Sequence, residues 1–233
     1  MTEGRIRKSP SRCQEGERTL GGGPRLDRIQ KGHQENLFKV LILGDFEVGK
    51  SSLVDRYVHG NFYSHYKTTH GVDFALKVLQ WSDSETVRLQ LWDIAGQERF
   101  TSMTRLYYRE AAACVIMFDV TNRASFLNSQ KWKEDLDSKA TLQNGAAVPC
   151  ILLANKCDLS PWAMTKDEVD LFSRENSFIG WTETSVKENK NINESMRVLV
   201  AKMMDNGEGV AALSGNGDYI NLRDVATPGY GCC

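Results

Sequence analysis

The stretch Gly44-Asp45-Phe46-Glu47-Val48-Gly49-Lys50-Ser51 constrains this chain more than any other. It fits the spacing GxxxxGK[ST] and follows directly on the apolar run Phe38-Lys39-Val40-Leu41-Ile42-Leu43. A buried strand that runs into a glycine turn and then into a helix is the setting in which that spacing makes a phosphate-binding loop. The glycines let the backbone curl, so that several N–H groups face one anion. A helix beginning near Lys50 adds the positive end of its dipole. Lys50 can reach terminal phosphates, and the Ser51 hydroxyl can hold Mg²⁺. The candidate phosphate-binding residues are therefore Glu47, Val48, Gly49, Lys50, Ser51 and Ser52.

The 233 residues suffice for one α/β domain with tails. Lys and Arg number 29 against 30 Asp and Glu, a net charge of −1, so no global basic field argues for nucleic acid. No apolar run approaches the length of a membrane-spanning helix. The basic N-terminus has no apolar core, unlike a secretory signal. The six cysteines show neither metal-ligand nor disulfide spacing, and Cys114 and Cys150 lie in apolar runs where a thiol packs. A reducing compartment is the expectation.

Residues 1–36 are basic and polar, with a Gly21-Gly22-Gly23-Pro24 breaker, and are expected to be disordered. Residues 37 to 204 alternate strand and helix signals. Val72, Phe74, Leu76 and Val78 alternate as in a half-buried strand, Ser82-Asp83-Ser84 turns the chain, and Val87, Leu89 and Leu91 alternate again: a hairpin. Ala112 to Val120 and Pro149 to Ala154 are continuous apolar runs, suited to strands covered on both faces. Helices are expected over Ser125 to Lys139, after the capping box Thr165-Lys166-Asp167-Glu168, and after Asn191, with Ile192, Met196, Leu199, Val200 and Met203 on one face. The fold class is α/β, a doubly wound, mostly parallel sheet with one antiparallel strand and helices on both faces. Ligands bind such sheets at the carboxyl ends of the strands. After Asn206 a tail rich in glycine and polar residues ends in Cys232-Cys233.

The remaining motifs fall at those strand ends. Asp93-Ile94-Ala95-Gly96-Gln97 closes the second hairpin strand. Its carboxylate can hold Mg²⁺, usually through water; Gly96 can offer an N–H to a γ-phosphate; Gln97 can orient an attacking water. Asn155-Lys156-Cys157-Asp158 follows Ile151-Leu152-Leu153, and Asp158 can accept hydrogen bonds from N1–H and the exocyclic amine of guanine, a pair that adenine lacks. Glu183-Thr184-Ser185-Val186-Lys187 can close over the base, with backbone N–H groups at Ser185, Val186 and Lys187 facing the guanine carbonyl. An ATP-dependent metabolic kinase on the same loop would need a lid and an acceptor pocket, for which the sequence offers no segment, and Asp158 argues for guanine.

In this order, the loop motif, Trp92-Asp93-Ile94-Ala95-Gly96-Gln97-Glu98-Arg99-Phe100, Asn155-Lys156-Cys157-Asp158 and Glu183-Thr184-Ser185 resemble a Rab small GTPase over residues 37–204 and the tail. Tyr107-Tyr108-Arg109 and Gly71-Val72-Asp73-Phe74 are Rab-type rather than Ras-type. Ile94 and the stretch Val72 to Trp81 resemble a small branch serving Golgi, endosomal and lysosome-related membranes. The resemblance implies a three-layer P-loop GTPase fold with a six-stranded sheet, and a GTP/GDP switch at the cytoplasmic face of such membranes, with a cytosolic pool. It implies Mg²⁺ held by Ser51, Asp93 and Thr69, the last in the GTP state only; a second switch over 96 to about 108, with Gln97 catalytic; and an effector-reading triad of Phe74, Trp92 and Tyr107. It implies geranylgeranyl groups on Cys232 and Cys233, and a kinase target at Thr101 or Ser102. The implied partners are effectors, an exchange factor, a GTPase-activating protein, a GDP-dissociation inhibitor and a prenylation escort protein.

Phe46 stands where the Rab pattern has a small residue, His70 where Ile or Val is usual, and Val186 where Ala is usual. Phe46 keeps a second reading open, a scaffold that holds GTP and hydrolyses it very slowly.

Overall fold

The computed structural model describes residues 34–63, 68–97 and 104–206. Thr101, Ser102, Cys232 and Cys233 lie outside these residues, as do residues 1–33. The elements run β1 (Gln34–Gly44), α1 (Lys50–His59), β2 (Val72–Ser82), β3 (Glu85–Ile94), α2 (Thr104–Tyr108), β4 (Ala113–Asp119), α3 (Arg123–Lys139), β5 (Cys150–Asn155), α4 (Lys166–Glu175), β6 (Gly180–Glu183) and α5 (Ile192–Asn206). The sheet order is β2-β3-β1-β4-β5-β6. Only the β2–β3 pair is antiparallel; the other pairs are parallel.

The continuous apolar runs form strands buried on both sides. Val40 and Ile42 of β1, Val115 and Met117 of β4, and Ile151 and Leu153 of β5 face Leu53, Val54 and Tyr57 of α1 and Ile192, Met196, Leu199, Val200 and Met203 of α5. The alternate residues, Leu41 and Leu43, Cys114, Ile116 and Phe118, and Cys150 and Leu152, face Tyr108 of α2, Phe126, Trp132 and Leu136 of α3 and Val169 of α4. Three layers follow from that alternation. Cys114 and Cys150 are register neighbours, both fully buried, and burial pushes the Cys114 thiol well up.

Local signals place the helices. The Asn122 side chain accepts from the N–H groups of Ala124 and Ser125 and starts α3 two residues before the expected Ser125. Thr165 caps α4 by accepting from the Glu168 N–H. Asn191 precedes α5 at φ 56°, its side-chain amide donating to the Glu183 carbonyl.

Two expectations need correction. Gln34, Glu35 and Asn36 are not a structureless lead-in: they belong to β1 and pair with Glu85, Thr86 and Val87 of β3. The apolar alternation of β2 also faces the opposite way to that expected. Phe74, Leu76 and Val78 are exposed, while Ala75, Leu79 and Trp81 pack on the core shared with α1 and α5. Cross-strand register decides this. Ala75, Lys77 and Leu79 stand opposite the buried Leu91, Leu89 and Val87, so their neighbours must point outward.

Candidate functional site

A cleft of about 640 Å³ opens at the carboxyl ends of β1, β3, β5 and β6. It is of the size of small-molecule sites in general. The structure brings Glu47, Gly49, Lys50, Ser51, Ser52, Thr69, Gly96, Gln97, Asn155, Lys156, Asp158, Val186 and Lys187 to its walls. Val48 stands in the same loop with its side chain in the core, and Ser185 and Asp93 lie buried just behind the wall.

At one end the loop between β1 and α1 presents Lys50 on the first turn of the helix. Gly49, the residue before it, has φ 104°, and an added Cβ there would lie 2.5 Å from the Asn155 amide nitrogen. Both strain and space therefore demand glycine. The Asp45 carboxylate, which the sequence did not single out, anchors the loop to α3. It accepts from Asn128 at 2.6 Å and from the Trp132 indole at 2.9 Å. Lys50 donates to the Asp45 carbonyl at 2.7 Å. Burial pulls the Lys50 ammonium down to about 8, against the pull of Asp93 and Asp45.

Ser51, Thr69 and Asp93 come from three separate segments and converge. The hydroxyls of Ser51 and Thr69 are 2.7 Å apart, Ser51 donates to Asp93 Oδ2, and Thr69 lies 3.4 Å from the same oxygen. Burial raises the Asp93 carboxyl, opposed by the Ser51 hydrogen bond, Lys50 and Thr69. Its Oδ1 is buried without a hydrogen-bond partner among the described residues. The donor set is all oxygen.

At the other end Ser185 donates to Asp158 Oδ1 at 2.6 Å and fixes the carboxylate. Asn155, itself buried, clasps two loops. Its amide donates to the Val48 carbonyl at 2.8 Å, and its Oδ1 accepts from the Val186 N–H at 3.3 Å and the Thr184 hydroxyl at 3.4 Å. Lys156 adopts φ 63° and pairs with Asp119 at 2.6 Å. Burial alone would raise Asp119, but the bonds from Lys156 and Thr121 together hold it below its usual range.

The family model described as "Ras family" matches residues 39–205. The chain is 69% identical over 203 residues to the Ras-related protein Rab-7L1 of Rattus norvegicus, spanning 87% of this chain and 100% of that one. The Homo sapiens protein of the same name matches at 69% over the same spans. Ras-related protein Rab-32 of Homo sapiens is 50% identical over 190 residues, 81% of this chain and 84% of its own. The chain belongs to the Ras family, in its Rab branch. It is a small GTPase, an enzyme that hydrolyses GTP, and its sheet and loop are those of the P-loop GTPase fold.

Of the triad expected to read effectors, Phe74 and Trp92 meet edge to face, with ring centroids 4.6 Å apart. Trp92 and Tyr107 pack half-buried on one core cluster. Phe46 projects from the loop, 43% exposed, into the wall that also carries Gly96 and Gln97. His70 is exposed, and Val186 is buried. The sequence reading missed Asp55, Phe62, Tyr63, Ala95 and Leu159, which also line the cleft. Ala95 had a signal as part of the Asp93–Gln97 motif, and Phe62 and Tyr63 as aromatics just past the glycine that ends α1.

Asn155→Ala removes the partner of two buried backbone groups, Val48 C=O and Val186 N–H. Loss of at least about 1–3 kcal/mol of stability is expected, since each buried polar group left unpaired costs about that much. Chemical denaturation measures it.

Proposed function

We propose that this GTPase is a membrane-anchored GTP/GDP switch acting in vesicle trafficking and organelle maintenance at the cytoplasmic face of Golgi, endosomal or lysosomal membranes, with a cytosolic pool. The observation that supports it best is the meeting of Thr69 with Ser51 and Asp93. Thr69 lies on a different segment from the phosphate loop, and among the described residues its side chain meets the Ser51 hydroxyl and the Asp93 carboxylate. A segment tethered in that way can be held by a γ-phosphate and released when the phosphate leaves.

Mg²⁺ fits these residues. It prefers a few hard oxygen ligands and retains water. Ser51, Thr69 and Asp93 supply only oxygen, and the unpartnered Asp93 Oδ1 suits a water of the ion's shell. The ion would neutralise phosphate charge. Lys50 and the loop N–H groups bind the phosphates, Ser52 extends that contact, Asp158 with Ser185, Val186 and Lys187 selects guanine, and Asn155 and Lys156 hold the base end together. Gln97 orients the attacking water.

Effectors read Phe74, Trp92 and Tyr107. The further partners are an exchange factor, a GTPase-activating protein, a GDP-dissociation inhibitor, a prenylation escort protein and a kinase acting on Thr101 or Ser102. Geranylgeranyl groups on Cys232 and Cys233 supply the anchor, two chains being what makes attachment stable. No helix among the described residues is long and apolar enough to cross a membrane.

Proteins captured by Gln97→Leu and not by Ser51→Asn should be lost again when Phe74→Ala is added to Gln97→Leu; identical capture by all three forms would refute the switch. Replacing Cys232 and Cys233 together by Ser should move the protein from the membrane pellet to the supernatant, and replacing one should weaken retention.

A second reading, a scaffold that holds GTP and hydrolyses it very slowly, draws on the exposed Phe46 ring beside Gly96 and Gln97. Displacing an attacking water by about 1 Å costs on the order of a hundredfold in rate. Phe46→Ala should therefore speed single-turnover hydrolysis by up to about that factor, with GTP affinity little changed. Equal rates would leave an ordinary cycling switch.

A further inference from the structure

Arg56, on the second turn of α1, makes a set of contacts that none of the motifs accounts for. Its Nε donates to the Val186 carbonyl at 3.0 Å and its Nη2 to the Lys187 carbonyl at 3.0 Å. Its Nη1 donates to the Gly60 carbonyl at 2.8 Å. The backbone N–H of Gly60 returns a bond to the Arg56 carbonyl at 3.0 Å, closing the helix with Gly60 at φ 74°. The guanidinium also lies 5.6 Å from the centre of the Phe62 ring, which lines the cleft.

We infer that Arg56 is a positioning residue for nucleotide retention, one planar fork that holds the 185–187 loop and the Gly60–Phe62 segment to α1. This rests on the guanine-nucleotide reading of the cleft and goes beyond it, because Arg56 touches none of the residues assigned to phosphate. A guanidinium alone among side chains carries five donors in fixed directions, so one residue can serve three carbonyls from two segments. The loop it holds carries Ser185, which orients Asp158, and Val186, whose N–H is bound by Asn155. The segment it holds carries Phe62. Both sides of the base end thus depend on one side chain that starts from the helix bearing Lys50 and Ser51. The carbonyls of Val186 and Lys187 accept from the guanidinium while the N–H groups of Val186 and Ser185 are held by Asn155 and by the Lys190 carbonyl, so the loop is gripped from both sides.

The test is release of a fluorescent GDP and of a fluorescent, non-hydrolysable GTP analogue from the full chain, with Mg²⁺ and with EDTA. Arg56→Ala should speed release by about tenfold or more, the loss of at least one charge-assisted bond. The factor should be the same for both nucleotides, because the γ-phosphate is at the far end. EDTA should speed release from the variant by the same ratio as from the wild type. Arg56→Lys should not restore retention, since an ammonium cannot serve three carbonyls set around a plane. Thermal unfolding of both variants shows that they are folded, and Arg56→Lys carries the test if Arg56→Ala is not. Wild-type release rates in Arg56→Ala, or full restoration by Arg56→Lys, overturn the role given to Arg56. A wild type that retains no guanine nucleotide overturns the nucleotide reading itself, and this inference with it.

Discussion

The site depends on one buried amide. Asn155 ends β5, where the parallel sheet stops and three loops begin, and its side chain is the only link among the described bonds between the phosphate loop and the 184–186 loop. A buried amide left unpaired is costly, so the arrangement that satisfies it is strongly preferred. Here satisfaction requires the Val48 carbonyl, the Thr184 hydroxyl and the Val186 N–H at once. The phosphate end and the base end are thereby held at a fixed separation by a residue of the base-end motif that reaches back to the phosphate loop. Gly49 is the complement of this clasp, because a side chain there would occupy the amide's place.

How much of this was legible in the sequence follows from how local each cause is. The strands β1, β4 and β5 show as apolar runs, and the start of α4 shows as a threonine with a glutamate three residues on. Each of these has its reason within a few residues. The motif residues reached the cleft because strand order and the carboxyl-end rule place them there without further information. The supports behind them were not legible. Asp45 finds Asn128 and Trp132 on α3, Arg56 finds the carbonyls of Val186 and Lys187, and Lys156 finds Asp119. These pairs are set by how elements pack, and no spacing announces them. A backbone carbonyl as partner leaves no trace in the sequence at all.

The facing of β2 shows a different limit. Alternation with period two identifies a strand but not which of its faces is covered. In β2 both sets contain apolar residues, Phe74, Leu76 and Val78 against Ala75, Leu79 and Trp81. The choice is made by β3, whose Val87, Leu89 and Leu91 are buried and stand opposite Leu79, Lys77 and Ala75. The row Phe74, Leu76 and Val78 is left outside. On the same face Lys39 lies 3.4 Å from the Trp92 ring centre and donates to the Arg109 carbonyl. Burial lowers its ammonium, against the pull of Glu110. An exposed apolar row on a rigid strand beside a cation–π pair is more surface than a sheet edge needs for its own stability.

Gly96 shows how the two halves of the cleft are coupled mechanically. A Cβ on Gly96 would lie 2.4 Å from the Phe46 backbone nitrogen and 2.7 Å from the Asp45 carbonyl carbon. These are backbone atoms, so they cannot swing aside. The segment after β3 and the phosphate loop are therefore in direct backbone contact, and neither can move toward the other. The loop in turn cannot retreat, because α3 grips the Asp45 carboxylate through Asn128 and Trp132. Packed elements of this kind respond by discrete rearrangement rather than by small continuous shifts. A change at the loop must be taken up where the backbone has room, beyond Gly96 at Gln97, which is exposed. The side chain proposed to position the water thus stands at the first place along the chain where the constraint relaxes.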